Sequence, residues 1–175
     1  MNNVRLVKPQ MEFEDEYLSF YQEWKQSGED MVPWVISKDP SDFQGMLNSL
    51  SDNEQGKGLP EGWVPDSTFW LVNQDNKVLG AANIRHRLTE HLNHAGGHIG
   101  YGIRPTERQK GYATILLELA LNEARKLGIY DVLVVCDAVN VASEKIIIKN
   151  GGIPDEDFIE DDGNVIKRYW INTSE

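Results

Sequence analysis

Ile103-Arg104-Pro105-Thr106-Glu107-Arg108-Gln109-Lys110-Gly111-Tyr112-Ala113-Thr114 joins an apolar strand to the best-patterned helix of the chain. Ala113, Leu116, Leu117, Ala120, Leu121, Ala124 and Leu127 recur on one face, and Thr114, Glu118, Asn122, Arg125 and Lys126 fall opposite. That spacing predicts an amphipathic helix over 110–127, stopped by Gly128. Pro105 ends the strand before it and restricts Arg104 to an extended conformation. Gly111 has no side chain, so backbone there can come close to a ligand, and Ala113 is nearly as small. Arg108 and Lys110 bring positive charge to a helix start whose free N–H groups already favour an anion. The stretch therefore predicts a phosphate or pyrophosphate site at the carboxyl end of a strand. Thr106 and Gln109 also fit a capping box, which would make the segment only a helix start. Gly111 would then lie inside the helix and destabilise it by up to ~1 kcal/mol.

Working outward, 4–7 is a short alternating strand. Phe13, Tyr17, Phe20, Tyr21 and Trp24 follow at helical spacing behind acidic Glu12, Glu14, Asp15 and Glu16, and Gly28 ends that helix. A second helix is predicted over 41–50. The Ser, Asp, Asn, Gly and Pro of 51–66 predict a long loop. Strands over 68–72 and 78–84 flank Asn73-Gln74-Asp75-Asn76-Lys77, which has hairpin chemistry. Further strands are predicted over 98–103 and 132–135, a helix over 141–149, and two final strands over 152–159 and 165–171. The passage from 98 to 135 predicts a parallel strand pair with a right-handed crossover.

The chain has 175 residues, 40% hydrophobic and 26% charged, which suits one globular domain. Its formal net charge of -11 opposes a nucleic-acid backbone and favours a cationic partner such as an amine, or simply keeps the protein soluble. No apolar run is long enough to span a bilayer, and the N-terminus lacks the apolar core of a signal peptide. The single cysteine, Cys136, fits a reducing compartment. A cytoplasmic protein with no membrane partner is expected. The chain lacks Gly-x-x-x-x-Gly-Lys-Ser/Thr, which argues against a nucleotide triphosphatase.

Arg108-Gln109-Lys110-Gly111-Tyr112-Ala113 resembles the Arg/Gln-x-x-Gly-x-Gly/Ala signature of the GNAT N-acetyltransferases, and it follows a strand ending in Ile-x-Pro as it does in that family. Asn140-Val141-Ala142-Ser143 resembles the Asn-x-x-Ser/Ala that follows the family's fifth strand. The element order is similar over nearly the whole chain. The resemblance implies one GNAT domain over 1–175 with the α+β acyl-CoA N-acyltransferase fold, a mixed, largely antiparallel sheet flanked by helices. It implies acetyl-CoA as cosubstrate, no metal, and direct acetyl transfer to an amine on a small molecule or peptide; homodimers are common in such enzymes. It places the coenzyme pyrophosphate on the N–H groups of Gln109, Lys110, Gly111, Tyr112, Ala113 and Thr114, beside Arg108. Main chain near Tyr101 and Ile103 would pair with the pantetheine arm, and Asn140 and Ser143 would contact its far side. Asn140 also suits the N-cap of the helix that follows.

The family often carries a tyrosine acid seven residues after that asparagine; here the position is Ile147. His98 is the candidate base and Tyr101 the candidate acid or acceptor-site residue. His86, His91, His94 and His98 fall in one short stretch, but their spacing matches no zinc pattern. Cys136 reads as a small core residue. Trp34 and Trp63 stand in irregular segments that, by analogy, would cover the acceptor. A domain that binds acyl-CoA as a sensor without catalysis is the alternative that Ile147 raises.

Overall fold

Residues 3–174 are described by the computed structural model. Its first sheet is antiparallel, in the order β1 (Arg5–Val7), β2 (Asp66–Val72), β3 (Val78–Arg85), β4 (Ile99–Ile103). The β2 and β3 strands are buried on both faces, so their sequences are nearly continuous apolar runs at their centres. On one face lie α1 (Glu14–Ser27) and α2 (Phe43–Glu54). Tyr17, Phe20, Trp24 and Phe43 pack there around Trp70, which stacks on Tyr17 with ring centroids 4.2 Å apart. Such an aromatic pair adds about 0.5–1.5 kcal/mol to the area it buries. On the other face lies α3 (Tyr112–Lys126), whose Leu116, Leu117 and Ala120 are fully buried against Leu71, Leu79 and Ala82.

The second sheet is β5 (Asp131–Asp137), β8 (Val165–Asn172) and β6 (Ile153–Pro154), with β7 (Phe158–Ile159) also on β8. The α4 helix (Val141–Lys149) packs beside it and sends Ile147 into the same core as α3. Asp42 starts α2 by accepting from the Gly45 N–H at 3.0 Å, and Gly28 ends α1 in the left-handed conformation.

Four sequence expectations change. The second helix runs on to Glu54, where an ion pair with Lys8 at 2.6 Å ties its last turn to the start of the chain; the loop is only 55–65. The strand expected over 152–159 is interrupted, because Asp155 and Glu156 turn aside to meet Arg168, whose Nη1 donates to Asp155 Oδ2 at 2.8 Å and to the Glu156 carbonyl at 3.1 Å. Leu127, placed on the apolar face of α3, caps its C-terminus and stands 42% exposed. The parallel pair of β4 with β5 does not form a ladder. The His98 N–H donates to the Leu133 carbonyl at 2.7 Å, the Leu133 N–H donates back to His98 Nδ1 at 2.9 Å, and beyond that tie the strands belong to separate sheets.

Candidate functional site

The loop between β4 and α3 is shaped by two left-handed residues, Gln109 at φ 60° and Gly111 at φ 84°. Gly111 is the N-cap of α3, with no side-chain cap. The first backbone bond into the helix is from Ile115 to the Gly111 carbonyl, at 3.4 Å. Among the described residues, the N–H groups from Gln109 to Thr114 therefore meet no acceptor. A Cβ built on Gly111 would touch nothing within 4 Å, so the concavity before these groups is open. This is the geometry of an anion nest.

The capping box expected of Thr106 and Gln109 is absent. Thr106 turns to α1, where its N–H and hydroxyl both donate to Glu23 Oε1, at 3.0 and 2.8 Å. Glu23 also accepts from Arg104 Nε at 2.5 Å, and Arg104 Nη2 donates to Ser19 at 2.6 Å. Burial acts to raise the Glu23 carboxyl, but the bonds from Arg104 and Thr106 outweigh it and hold the group below its ordinary value. Arg108 likewise faces α1: its Nε donates to the Ile103 carbonyl at 3.1 Å, its guanidinium pairs with Glu29 at 2.6 Å and lies over Trp24. Lys110, half exposed beside the nest, donates to Glu107 at 2.8 Å.

Between β4 and β5 runs a groove of about 310 Å³, lined by Gly100, Tyr101, Val135, Cys136, Asn140 and Ser143 among others. Alternation along β4 decides what faces it. The His98 carbonyl and Arg104 N–H bond to β3, so the even positions turn that way and the main-chain groups of Tyr101 and Ile103 turn away from β3, those of Tyr101 beside the groove and the Ile103 carbonyl to Arg108. Glycine at 102 lets residues 32–33 lie against the other side of the strand; a Cβ there would collide with the Val32 carbonyl. The Tyr101 and Ser143 hydroxyls are hydrogen-bonded at 3.0 Å, and Asn140 caps α4 by accepting from the Ser143 N–H at 3.1 Å. Burial pushes the Tyr101 hydroxyl up to about 12 and, with the Glu144 charge second, the Cys136 thiol up to about 11. Both groups hold their protons at neutral pH. Ile147 is fully buried and presents no group to the groove.

The histidine stretch disperses in space. His86 shares a hydrogen bond with Ser67 at 2.8 Å, His94 stacks on Phe158, and His91 lines a second cavity. His98 is 6% exposed, with Nδ1 already accepting from Leu133. Burial first, and the Arg85 charge second, push His98 down to about 4. Among the described residues no group of three or more His, Cys, Asp or Glu side chains could hold a metal ion. Nor is any described helix long and apolar enough to cross a membrane.

The second cavity, about 360 Å³, has Trp34 and Trp63 as walls and Asp66 and Arg85 on its floor. The two indoles meet edge to face at 4.9 Å. Trp34 and Arg85 also line the groove, so the cavity opens beside it. Sequence reading missed both floor residues. Asp66 lay in the expected loop, and Arg85 one position past the expected strand. Register pairs them directly across β2 and β3. The hairpin pattern, extended by two residues, would have brought them together. Glu23 was also missed, and no local signal marks it, because its partners lie more than eighty positions away.

Residues 4–153 match the family model of the acetyltransferase (GNAT) domain. No curated protein matches the chain. Among solved structures, an acetyl transferase from Salmonella typhimurium that modifies the N-terminal serine of a ribosomal subunit protein is similar at TM-score 0.68 and 13% identity, over 99% of this chain and 97% of that one. A spermidine N-acetyltransferase from Vibrio cholerae, in complex with CoA and spermine, is similar at TM-score 0.63 and 13% identity, over 98% and 96%. A ribosomal-protein alanine acetyltransferase from Vibrio fischeri gives 0.67 and 14%, over 98% and 93%. Likeness at this level of identity establishes the fold.

Proposed function

Because this chain belongs to the GNAT acetyltransferase family, we propose that it moves the acetyl group of acetyl-CoA directly to a primary amine. The observation that carries the reading is the run of acceptorless N–H groups from Gln109 to Thr114, on the loop that leaves β4, the strand whose Gly100 and Tyr101 line the groove. Those groups would hold the coenzyme pyrophosphate, with Gly111 leaving room for it. Lys110 adds charge at the rim. Arg108 acts on the loop rather than on phosphate, since its guanidinium is spent on Ile103 and Glu29. The main-chain groups of Tyr101 and the Ile103 N–H offer an open strand edge to the pantetheine amides, the Ile103 carbonyl being taken by Arg108, and Asn140 and Ser143 form the opposite wall.

The thioester supplies an activated acetyl group. The amine, having shed its ammonium proton to water, bonds through nitrogen to the carbonyl carbon. The carbon–sulfur bond breaks, the sulfur takes a proton from the acid beside it, and the proton the nitrogen then loses returns to that acid through solvent. Tyr101 is the group we assign to the departing sulfur. It stays protonated, and its hydroxyl stands in the groove with Ser143 behind it. This supplies the donor that Ile147 cannot. His98 is better suited to tying β4 to β5 than to taking a proton, because its Nδ1 lone pair is already in use. Cys136 keeps its proton and takes no covalent part. The cavity under Trp34 and Trp63 would receive the acceptor.

The test is a calorimetric titration with acetyl-CoA, beside a Gly111→Glu variant, followed by thiol release with an amine panel. Saturable binding that the variant loses, then amine-dependent release, is expected. No binding by the native protein would sink the reading. Binding without release on any amine would favour an acyl-CoA sensor.

A further inference from the structure

Two groups of opposite charge line the Trp34–Trp63 cavity within each other's field but without an ion-pair contact. Asp66 is 3% exposed and Arg85 is half-buried, and they are direct cross-strand partners. Opposite charges so placed normally close an ion pair. Here neither makes one, with the other or with any described residue. Asp66 accepts from Asn83 Nδ2 at 2.7 Å through Oδ1, and its Oδ2 has no partner among the described residues. Arg85 gives Nη1 to the carbonyls of Gly96 and Gly97, at 3.0 and 3.1 Å, and keeps its other donors. Lys38 stands near but is engaged elsewhere, donating to Ser49 at 2.9 Å and lying over Trp34.

Buried charges are costly unless paired. A floor that holds one of each sign apart, beneath two indoles and the side chains of Val64 and Leu92, fits a dipolar head on an apolar body. A plain amine would answer Asp66 and leave Arg85 uncompensated. A plain carboxylate would do the reverse.

We infer that this cavity binds a zwitterion of the amino-acid class, its ammonium on Asp66, its carboxylate on Arg85 and an apolar side chain against the joined faces of Trp34 and Trp63. The assignment rests on the cavity being the acceptor's, and so names the acceptor class of the proposed transferase. Arg85 lines both cavity and groove, which places the carboxylate at their junction.

Calorimetry tests it without turnover. Phenylalanine, phenethylamine (no carboxylate) and hydrocinnamate (no amine) are titrated into the native protein, Asp66→Asn and Arg85→Gln. Phenylalanine should bind the native protein at least about tenfold tighter than either truncated ligand, one factor of ten being about 1.4 kcal/mol. Arg85→Gln should weaken phenylalanine by a similar factor and leave phenethylamine unchanged; Asp66→Asn should weaken phenylalanine and leave hydrocinnamate unchanged. A misfolded variant would lose all ligands alike, so the crossed pattern separates recognition from damage. The inference is overturned if phenylalanine does not bind, if the three ligands bind alike, or if each variant weakens every ligand equally. Failure of the transferase reading shows separately, in the acetyl-CoA titration.

Discussion

The Tyr101 hydroxyl on β4 lies 3.0 Å from the Ser143 hydroxyl on α4, so a side-chain hydrogen bond spans the groove. Tyr101→Phe removes that bond and the proposed donor to sulfur while keeping the ring. It should lower kcat on the order of a hundredfold with little change in KM for acetyl-CoA. Steady-state thiol release decides it; an unchanged kcat would remove Tyr101 from the chemistry.

Glu23 holds the nest in shape from outside it. Glu23→Gln keeps an acceptor for Thr106 but leaves the buried Arg104 without a counter-charge. A stability loss of about 1–3 kcal/mol is expected, from hydrogen bonds to charged groups. KM for acetyl-CoA should rise while kcat at saturation stays near the native value. Because the folded Glu23 carboxyl is held below its ordinary value, its contribution is present above the unfolded pKa and is lost as pH falls through the folded one. The acid limb of the native melting curve, below about pH 4.5, should therefore be steeper than the variant's.

His98 should behave as a structural group. Its folded pKa, about 4, lies below the ordinary histidine value of 6.5. The unfolded chain thus binds more protons between those values, and native stability should fall as pH drops across that window. His98→Ala should flatten this dependence and cost about 1–3 kcal/mol for the Leu133 N–H left without its acceptor. Chemical denaturation at a series of pH values reads both effects. A loss of kcat with unchanged stability would instead return His98 to the role of base.

Cys136→Ala should leave kcat unchanged, because the thiol is held up at about 11 and offers little thiolate. Complete inactivation in the same assay would indicate a covalent intermediate.

How far the sequence could be read depended on how local each signal was. The α3 helix, its glycine stop and the β2–β3 hairpin were legible because period, caps and turn residues lie within a few positions of one another. The nest was legible for the same reason, through Gly111. The side-chain partners of Arg108 were not: positive charge beside a helix start reads as a phosphate ligand, and only the fold brings Glu29 and Trp24 to it. The histidines show the converse. Adjacent in sequence, they are drawn apart by a turn and a strand, and each finds a different neighbour. Asp66 and Arg85 stayed hidden because each stood just beyond the ends predicted for its strand, where pattern is weakest.

The tie between His98 and Leu133 has a mechanical consequence. Beyond that point no ladder bond joins β4 to β5 among the described residues, and the two sheets are held together by the core they share under α3 and α4 and by this hinge-like knot. A molecule lodged in the cleft and bonded to both rims would act as the missing rung. It would add backbone bonds to a seam now held by side-chain packing, and amide exchange in β5 and β8 would slow together with that in β4, although most of those amides never touch it.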